Sequence, residues 1–138
     1  ENALIDGIQG NQEFRTGDWQ GFYGFDVMAE IQFKEPKAML TVDLGLLEDL
    51  KSWIFYPTEW TIEVSTDGVN FTKYRTDKIN SSTNEYRPAN IQKVSMNVAE
   101  HETVKAIRIS VKNAGNCPDW HLGRGNPTWI FLDEISIH

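Results

Sequence analysis

The chain has 138 residues, a net charge of −7 and 12% aromatic residues. Its length and composition predict one globular domain over residues 1–138, long enough to bury a substantial core. The acidic charge opposes binding to phosphate backbones and anionic lipids, so we expect neither nucleic acid nor a membrane as partner. Cys117 is the single cysteine, which excludes an internal disulfide, and we expect it to be structural.

Apolar and polar residues alternate in several short segments, with the period of a half-buried β-strand. In chain order these predicted strands lie at 29–33, 40–44, 60–65, 94–98, 107–111 and 130–137. Asp67-Gly68 predicts a tight turn that leads into a return strand from residue 71. No segment sustains a helical period, so we expect an all-β antiparallel sandwich or jelly roll.

Three long segments, 1–28, 76–92 and 113–128, lack periodicity and are predicted loops, which are often functional. The sequence contains no HExxH, GxSxG or P-loop motif. Asp133 and Glu134 are adjacent in a predicted strand, where alternation places them on opposite faces. They therefore cannot form the carboxylate pair of a glycosidase, and we expect a non-catalytic domain.

Five motifs occur in order along nearly the whole chain. They are LIDGIQG at 4–10 followed by WQGF at 19–22, SWIFYP at 52–57, STDGVNF at 65–71, PDWH at 118–121, and WIFLDEI at 129–135. Together they resemble coagulation factor 5/8 type C (discoidin) domains of the kind classed as carbohydrate-binding module family 32. Specifically, the chain resembles the variety at the C-terminus of bacterial β-hexosaminidases, or chitobiases. The resemblance implies an eight-stranded, discoidin-type jelly-roll β-sandwich that is galactose-binding-domain-like.

The same resemblance implies a function. We expect a carbohydrate-binding module that targets a parent β-hexosaminidase to galactose- or N-acetylhexosamine-containing glycans, with the catalytic domain as its second partner. It also implies an exported bacterial protein, either extracellular, periplasmic or associated with the outer membrane, and a monomer as an isolated domain. An alternative of another class is a domain that packs on the catalytic domain and binds no sugar. Discoidin-type lipid binding is a third hypothesis, which the net charge of −7 disfavours.

The resemblance further implies a structural calcium ion in the first loop. Calcium takes roughly six to eight oxygen ligands, often carboxylates mixed with backbone carbonyls. We expect side-chain ligands from Asp6 and Glu134, and backbone carbonyl ligands from Leu4, Gly10 or Asn11. The alternative is that Asp6 caps a turn and Glu134 is merely exposed.

Sugar sites pair an exposed aromatic ring with planar polar groups, and loop 113–128 contains both. The candidate ligand-binding residues are Trp120, His121, Arg124, Asn126, Trp53 and Phe55. Five of them have an alternative role: Trp120, Trp53 and Phe55 as core residues, His121 as a loop-stabilising hydrogen-bond partner, and Arg124 as a solvated surface residue.

Overall fold

The computed structural model describes residues 19–81 and 83–138. The strands are β1 Gln20–Tyr23, β2 Val27–Glu48, β3 Glu59–Ser65, β4 Thr72–Lys78, β5 Asn90–Lys112 and β6 Trp129–Ile137, and a 3-10 helix spans Leu50–Ser52. All strand pairings are antiparallel, in the order β1-β6-β2-β5-β3-β4. The all-β prediction is confirmed. The described part of the chain holds no helix with the length and apolar character needed to cross a membrane.

Two pairs of predicted strands prove to be single continuous strands. Segments 29–33 and 40–44 both lie in β2, and segments 94–98 and 107–111 both lie in β5. The prediction of a break was wrong because the register of this β2–β5 ribbon shifts between Gln32 and Met39, where alternation is lost but pairing continues. Unpaired residues at such bulges bend a strand without ending it. The described residues therefore form six strands where the resemblance implied eight.

The bent ribbon brings two layers together. In one layer, the first half of β2 pairs with the second half of β5, which also pairs with β3. In the other layer, the second half of β2 pairs with β6. Side chains from both layers share one core, in which Val42, Leu44, Trp60, Ile62 and Ile109 are at most 1% exposed. The alternating residues thus face the interior of a sandwich, as predicted.

A bulge in β6 changes the alternation near its end. Between two of their pairings β2 advances two residues while β6 advances three. Asp133 and Glu134 consequently line the same small cavity, so the prediction that they occupy opposite faces was wrong. Gly45 permits this arrangement, because a Cβ there would lie 2.0 Å from Asp133 Oδ1.

Candidate functional site

Three loops meet beside the end of β2, at residues 49–58, 83–89 and 113–128. The backbone amide of Leu122 donates to Tyr86 Oη at 2.9 Å, which joins the second loop to the third. Residues of all three loops line two neighbouring cavities. Converging loops on a rigid scaffold are a common location for ligand binding.

The two cavities are adjacent, since Lys51 and Tyr86 line both, and we refer to the pair as the cleft. The larger, here the arginine lobe, has a volume of about 470 Å³ and is lined by Asp49, Lys51, Tyr86, Arg87, Pro88 and Ala89. The smaller, the tryptophan lobe, has a volume of about 360 Å³ and is lined by Lys51, Trp53, Tyr86, His121 and Leu122. Small-ligand pockets typically span roughly 300–1,000 Å³, so both lobes are large enough for a ligand.

An ion pair between a buried carboxylate and a half-exposed guanidinium fixes the arginine lobe. Glu48, the last residue of β2, is 1% exposed, and its carboxylate accepts from Arg87 Nε at 2.5 Å and from Arg87 Nη2 at 2.8 Å. This hydrogen bonding to Glu48 raises the pKa of Arg87. The two parallel bonds orient the guanidinium plane, and because Arg87 is half-exposed its remaining N–H donors can serve a ligand.

Trp53 occupies a rare backbone conformation at the tryptophan lobe. It ends the 3-10 helix with φ 65°, and its amide donates to Leu50 O at 3.1 Å. A bulky residue in the left-handed region costs on the order of 1–3 kcal/mol, and such strain clusters at functional positions. The ring packs so closely on Gly123 that a Cβ there would lie 2.7 Å from Trp53 Cε2, so the loop needs glycine at this point.

An aromatic cluster supports the cleft from behind. Trp120 meets Tyr86 edge to face with ring centroids 5.2 Å apart, and Phe55 is buried against Trp120. Cys117 is buried in the same cluster, and burial raises the pKa of its thiol. Among the described residues neither Trp120 nor Phe55 lines a lobe: Trp120 contacts Tyr86, and Phe55 contacts Trp120 and the His121 ring.

His121 lines the tryptophan lobe but its ring is committed to the protein. The Gly123 amide donates to Nδ1 at 2.8 Å, so Nε2 carries the proton and donates to Leu50 O at 2.6 Å. The ring is buried. His121 therefore fastens its loop to the 3-10 helix, which was the alternative role considered for it.

The other two candidates from loop 113–128 lie outside the cleft. Arg124 and Asn126 are exposed, and Asn126 Nδ2 donates to Gly123 O at 3.0 Å. Of the six candidate ligand residues, the structure brings Trp53 and His121 to the cleft. Sequence reasoning missed Lys51, Tyr86, Arg87 and Leu122 as lining residues. The adjacent Tyr86-Arg87, an aromatic ring beside a planar cation in a long loop, has the composition expected of a sugar site.

The F5/8 type C domain model matches residues 1–128 of the chain. The chain belongs to the F5/8 type C domain family. This confirms the resemblance to F5/8 type C domains, and the matched residues include four of the five motifs. No curated protein matches the chain.

Solved structures similar to this F5/8 type C domain include two modules from a family 31 glycoside hydrolase of Clostridium perfringens. One, CBM32-1, is 14% identical with a TM-score of 0.49, and the match covers 97% of this chain and 80% of that one. The other, CBM32-3, is 20% identical with a TM-score of 0.46, covering 87% and 70%. TmCBM61 in complex with β-1,4-galactotriose is 15% identical with a TM-score of 0.40, covering 86% and 68%.

Glu134 is the one candidate calcium ligand within the described residues. It is half-buried on β6 and lines a cavity of about 80 Å³ together with Asp43 and Asp133. The described residues contain no group of three or more His, Cys, Asp or Glu side chains that could hold a metal ion. The other candidate ligands lie outside the described residues; they are Asp6, Leu4, Gly10 and Asn11.

We expect Arg87→Met to lower the free energy of unfolding by about 2 kcal/mol, because the Glu48 carboxylate would lose its charged hydrogen-bond donor. The loss stays below that of a fully buried pair because the Arg87 side chain is 40% exposed. Urea denaturation measures this loss, and Arg124→Met is the matched control, since Arg124 is exposed and lines neither lobe. The double variant Glu48→Gln/Arg87→Met should lose less than the two single variants added together. Equal losses in Arg87→Met and Arg124→Met would contradict the role given to the pair.

Tyr56 provides a second, pH-dependent test of the region beneath the cleft. It is 3% exposed, and burial, with Glu48 nearby, raises its pKa to about 12. In the unfolded chain the pKa of Tyr56 lies near 10, so its phenol would ionise there before it ionises in the folded protein. Tyr56 should therefore not change the free energy of unfolding below about pH 10. As the pH rises from 10 towards 12, that free energy should fall by on the order of 1–2 kcal/mol after solvent screening. Urea midpoints across this range should fall less steeply in Tyr56→Phe than in the control Tyr74→Phe. Identical slopes would contradict the assignment.

Proposed function

We propose that this F5/8 type C domain is a non-catalytic carbohydrate-binding module whose cleft takes a galactose- or N-acetylhexosamine-containing glycan. The observation that carries the proposal is the position of Arg87. Its guanidinium is fixed by a buried carboxylate and faces a cleft that Tyr86 and Trp53 also line.

The chemistry of the cleft matches that of a pyranose. A sugar ring has an apolar face that packs on aromatic rings, and Tyr86 and Trp53 supply such rings. Neighbouring hydroxyls accept paired hydrogen bonds from a planar fork of donors, which Arg87 provides. Asp49 lines the same lobe and supplies a carboxylate that accepts from sugar hydroxyls.

The charges around the cleft favour a neutral sugar. Glu48 and Asp49 are acidic, Lys51 and Arg87 are basic, and the four formal charges cancel. A ligand that carries a carboxylate or phosphate would find no net positive charge here. Neutral hydroxyls lose less on leaving water, provided that each finds a hydrogen-bond partner.

The alternative is a domain that packs on a neighbouring domain without binding sugar. Such a surface would be a contiguous apolar patch without convergent polar groups. The arginine lobe instead joins apolar walls to three charged side chains, Asp49, Lys51 and Arg87. This combination favours a ligand site.

We also propose that the module is part of an exported β-hexosaminidase of the chitobiase type and holds its catalytic domain near the substrate. The five ordered motifs support this proposal. Binding at one cleft is expected to be weak, and tethering raises the effective concentration of the catalytic domain at the glycan.

We expect Lys51→Ala to weaken glycan binding about tenfold, because Lys51 lines both lobes and a hydrogen bond from a charged donor contributes about 1.5–3 kcal/mol. Arg124→Ala is the matched control, since both cations are exposed and only Lys51 lines the cleft. A glycan array followed by titration calorimetry on the hits provides the measurement. A blank array across galactose and N-acetylhexosamine ligands would favour the packing alternative, and equal effects of the two variants would place the site elsewhere.

We propose in addition that a structural calcium ion is bound by Glu134 together with ligands from the first loop. The carboxylate of Glu134 supplies hard oxygen donors of the kind that calcium prefers. Bound calcium would neutralise acidic side chains at the bulge in β6 and stabilise the fold.

Calcium should raise the melting temperature by several degrees over the chelated protein, since a ligand at a hundredfold excess over its Kd adds about 2.7 kcal/mol. Differential scanning calorimetry with calcium or with EGTA measures the shift. Glu134→Gln should remove it, whereas the exposed control Glu102→Gln should keep it. A calcium-dependent shift that survives Glu134→Gln would rule out this ligand.

A further inference from the structure

The tryptophan lobe offers a ligand less hydrogen bonding than the arginine lobe. Both ring nitrogens of His121 already bond to backbone, and Tyr86 Oη accepts from the Leu122 amide, which leaves the Tyr86 O–H and the Trp53 indole N–H as the uncharged side-chain donors of the lobe. Apart from the shared Lys51, the lobe presents the side chains of Trp53, Tyr86 and Leu122. A sugar hydroxyl placed here would lose its hydrogen bonds to water and find few hydrogen-bond partners in return, whereas an apolar group has no hydrogen bonds to lose.

Leu122 is the most exposed of the large hydrophobic side chains identified on the described surface, at 88%. Its backbone is nevertheless held in place, because its own amide bonds to Tyr86 and the next amide, of Gly123, bonds to the buried His121 ring. An apolar side chain on a constrained backbone at the rim of a cavity can bury its surface against a ligand with little loss of backbone entropy.

We infer that Leu122 determines specificity by packing on a methyl-bearing substituent of the bound glycan in the tryptophan lobe. The inference rests on the proposed glycan function and deepens it. Two sugar substituents have the required chemistry, the acetamido group of an N-acetylhexosamine and the methyl group of a 6-deoxysugar. The sugar ring itself would lie towards the arginine lobe, where Arg87 and Asp49 meet its hydroxyls.

Two matched pairs of ligands distinguish these sources. N-acetyllactosamine against lactose tests the acetamido group, and methyl α-L-fucoside against methyl α-L-galactoside tests the 6-deoxy methyl group. In calorimetric or NMR titrations, the methyl-bearing member of at least one pair should bind about fourfold more tightly, the value expected for burying one methyl-sized group.

The variant Leu122→Ala should bring that ratio close to one. Val69→Ala is the matched control, because Val69 is an aliphatic residue, 76% exposed, in the turn between β3 and β4, and it should keep the ratio. Leu122 is exposed, so its replacement leaves the core intact, and an unchanged melting temperature verifies this.

A ratio near one in both pairs, a ratio that survives Leu122→Ala, or no binding of any of the four sugars would overturn the inference. These outcomes are separable from failure of the proposed function. A glycan array with hits that show no preference for methyl-bearing units contradicts only the role of Leu122. A blank array contradicts the glycan function itself.

Discussion

The ion pair between the buried Glu48 and Arg87 sets the position of the cleft. A carboxylate that is 1% exposed at the end of β2 must be compensated, because burying an unpaired charge costs several kcal/mol. Arg87 provides the compensation, and to do so its loop has to return over the end of β2. Tyr86 precedes Arg87 in that loop and is thereby brought onto Trp120 and His121. The wall that both lobes share is thus a consequence of one ion pair.

The third loop, residues 113–128, is likewise held by buried polar contacts. Its buried polar groups hydrogen-bond within the protein, while aromatic rings remain at the surface. Thr128 is buried. Its hydroxyl lies within 2.9 Å of both Asn113 Oδ1 and Gly115 O, and either oxygen can accept its hydrogen bond. The His121 ring bonds to backbone on both sides. The buried polar groups of this loop are therefore already hydrogen-bonded within the protein. The surface that remains for a ligand is mainly apolar at Trp53 and Leu122, and it is polar near Arg87. The division of the cleft into two lobes follows from this distribution.

The alternation of apolar residues was sufficient to predict the sandwich, because a strand with one buried face must repeat every second residue, as Trp60, Ile62 and Val64 do. It failed where bulges change that period, within β2 and at Asp133 and Glu134. For the cleft, composition suggested both Trp53 and Trp120, but it could not decide between their rings, since contact with Tyr86 from a distant loop partly covers Trp120. Arg87 was missed because its role depends on Glu48, which lies 39 residues earlier.

The charge distribution determines how such a cleft can select its ligand. The four charged groups at the cleft cancel, so the whole formal charge of −7 is carried by the rest of the protein. An anionic glycan would be repelled during approach, but at physiological ionic strength this field is screened beyond about 8 Å. Discrimination therefore has to come from short-range contacts. Under the proposed function, the fixed guanidinium of Arg87 would test the arrangement of hydroxyls, and the rim of the tryptophan lobe would test the substituent beside them. Shape and hydrogen-bond geometry rather than net charge would then set the specificity.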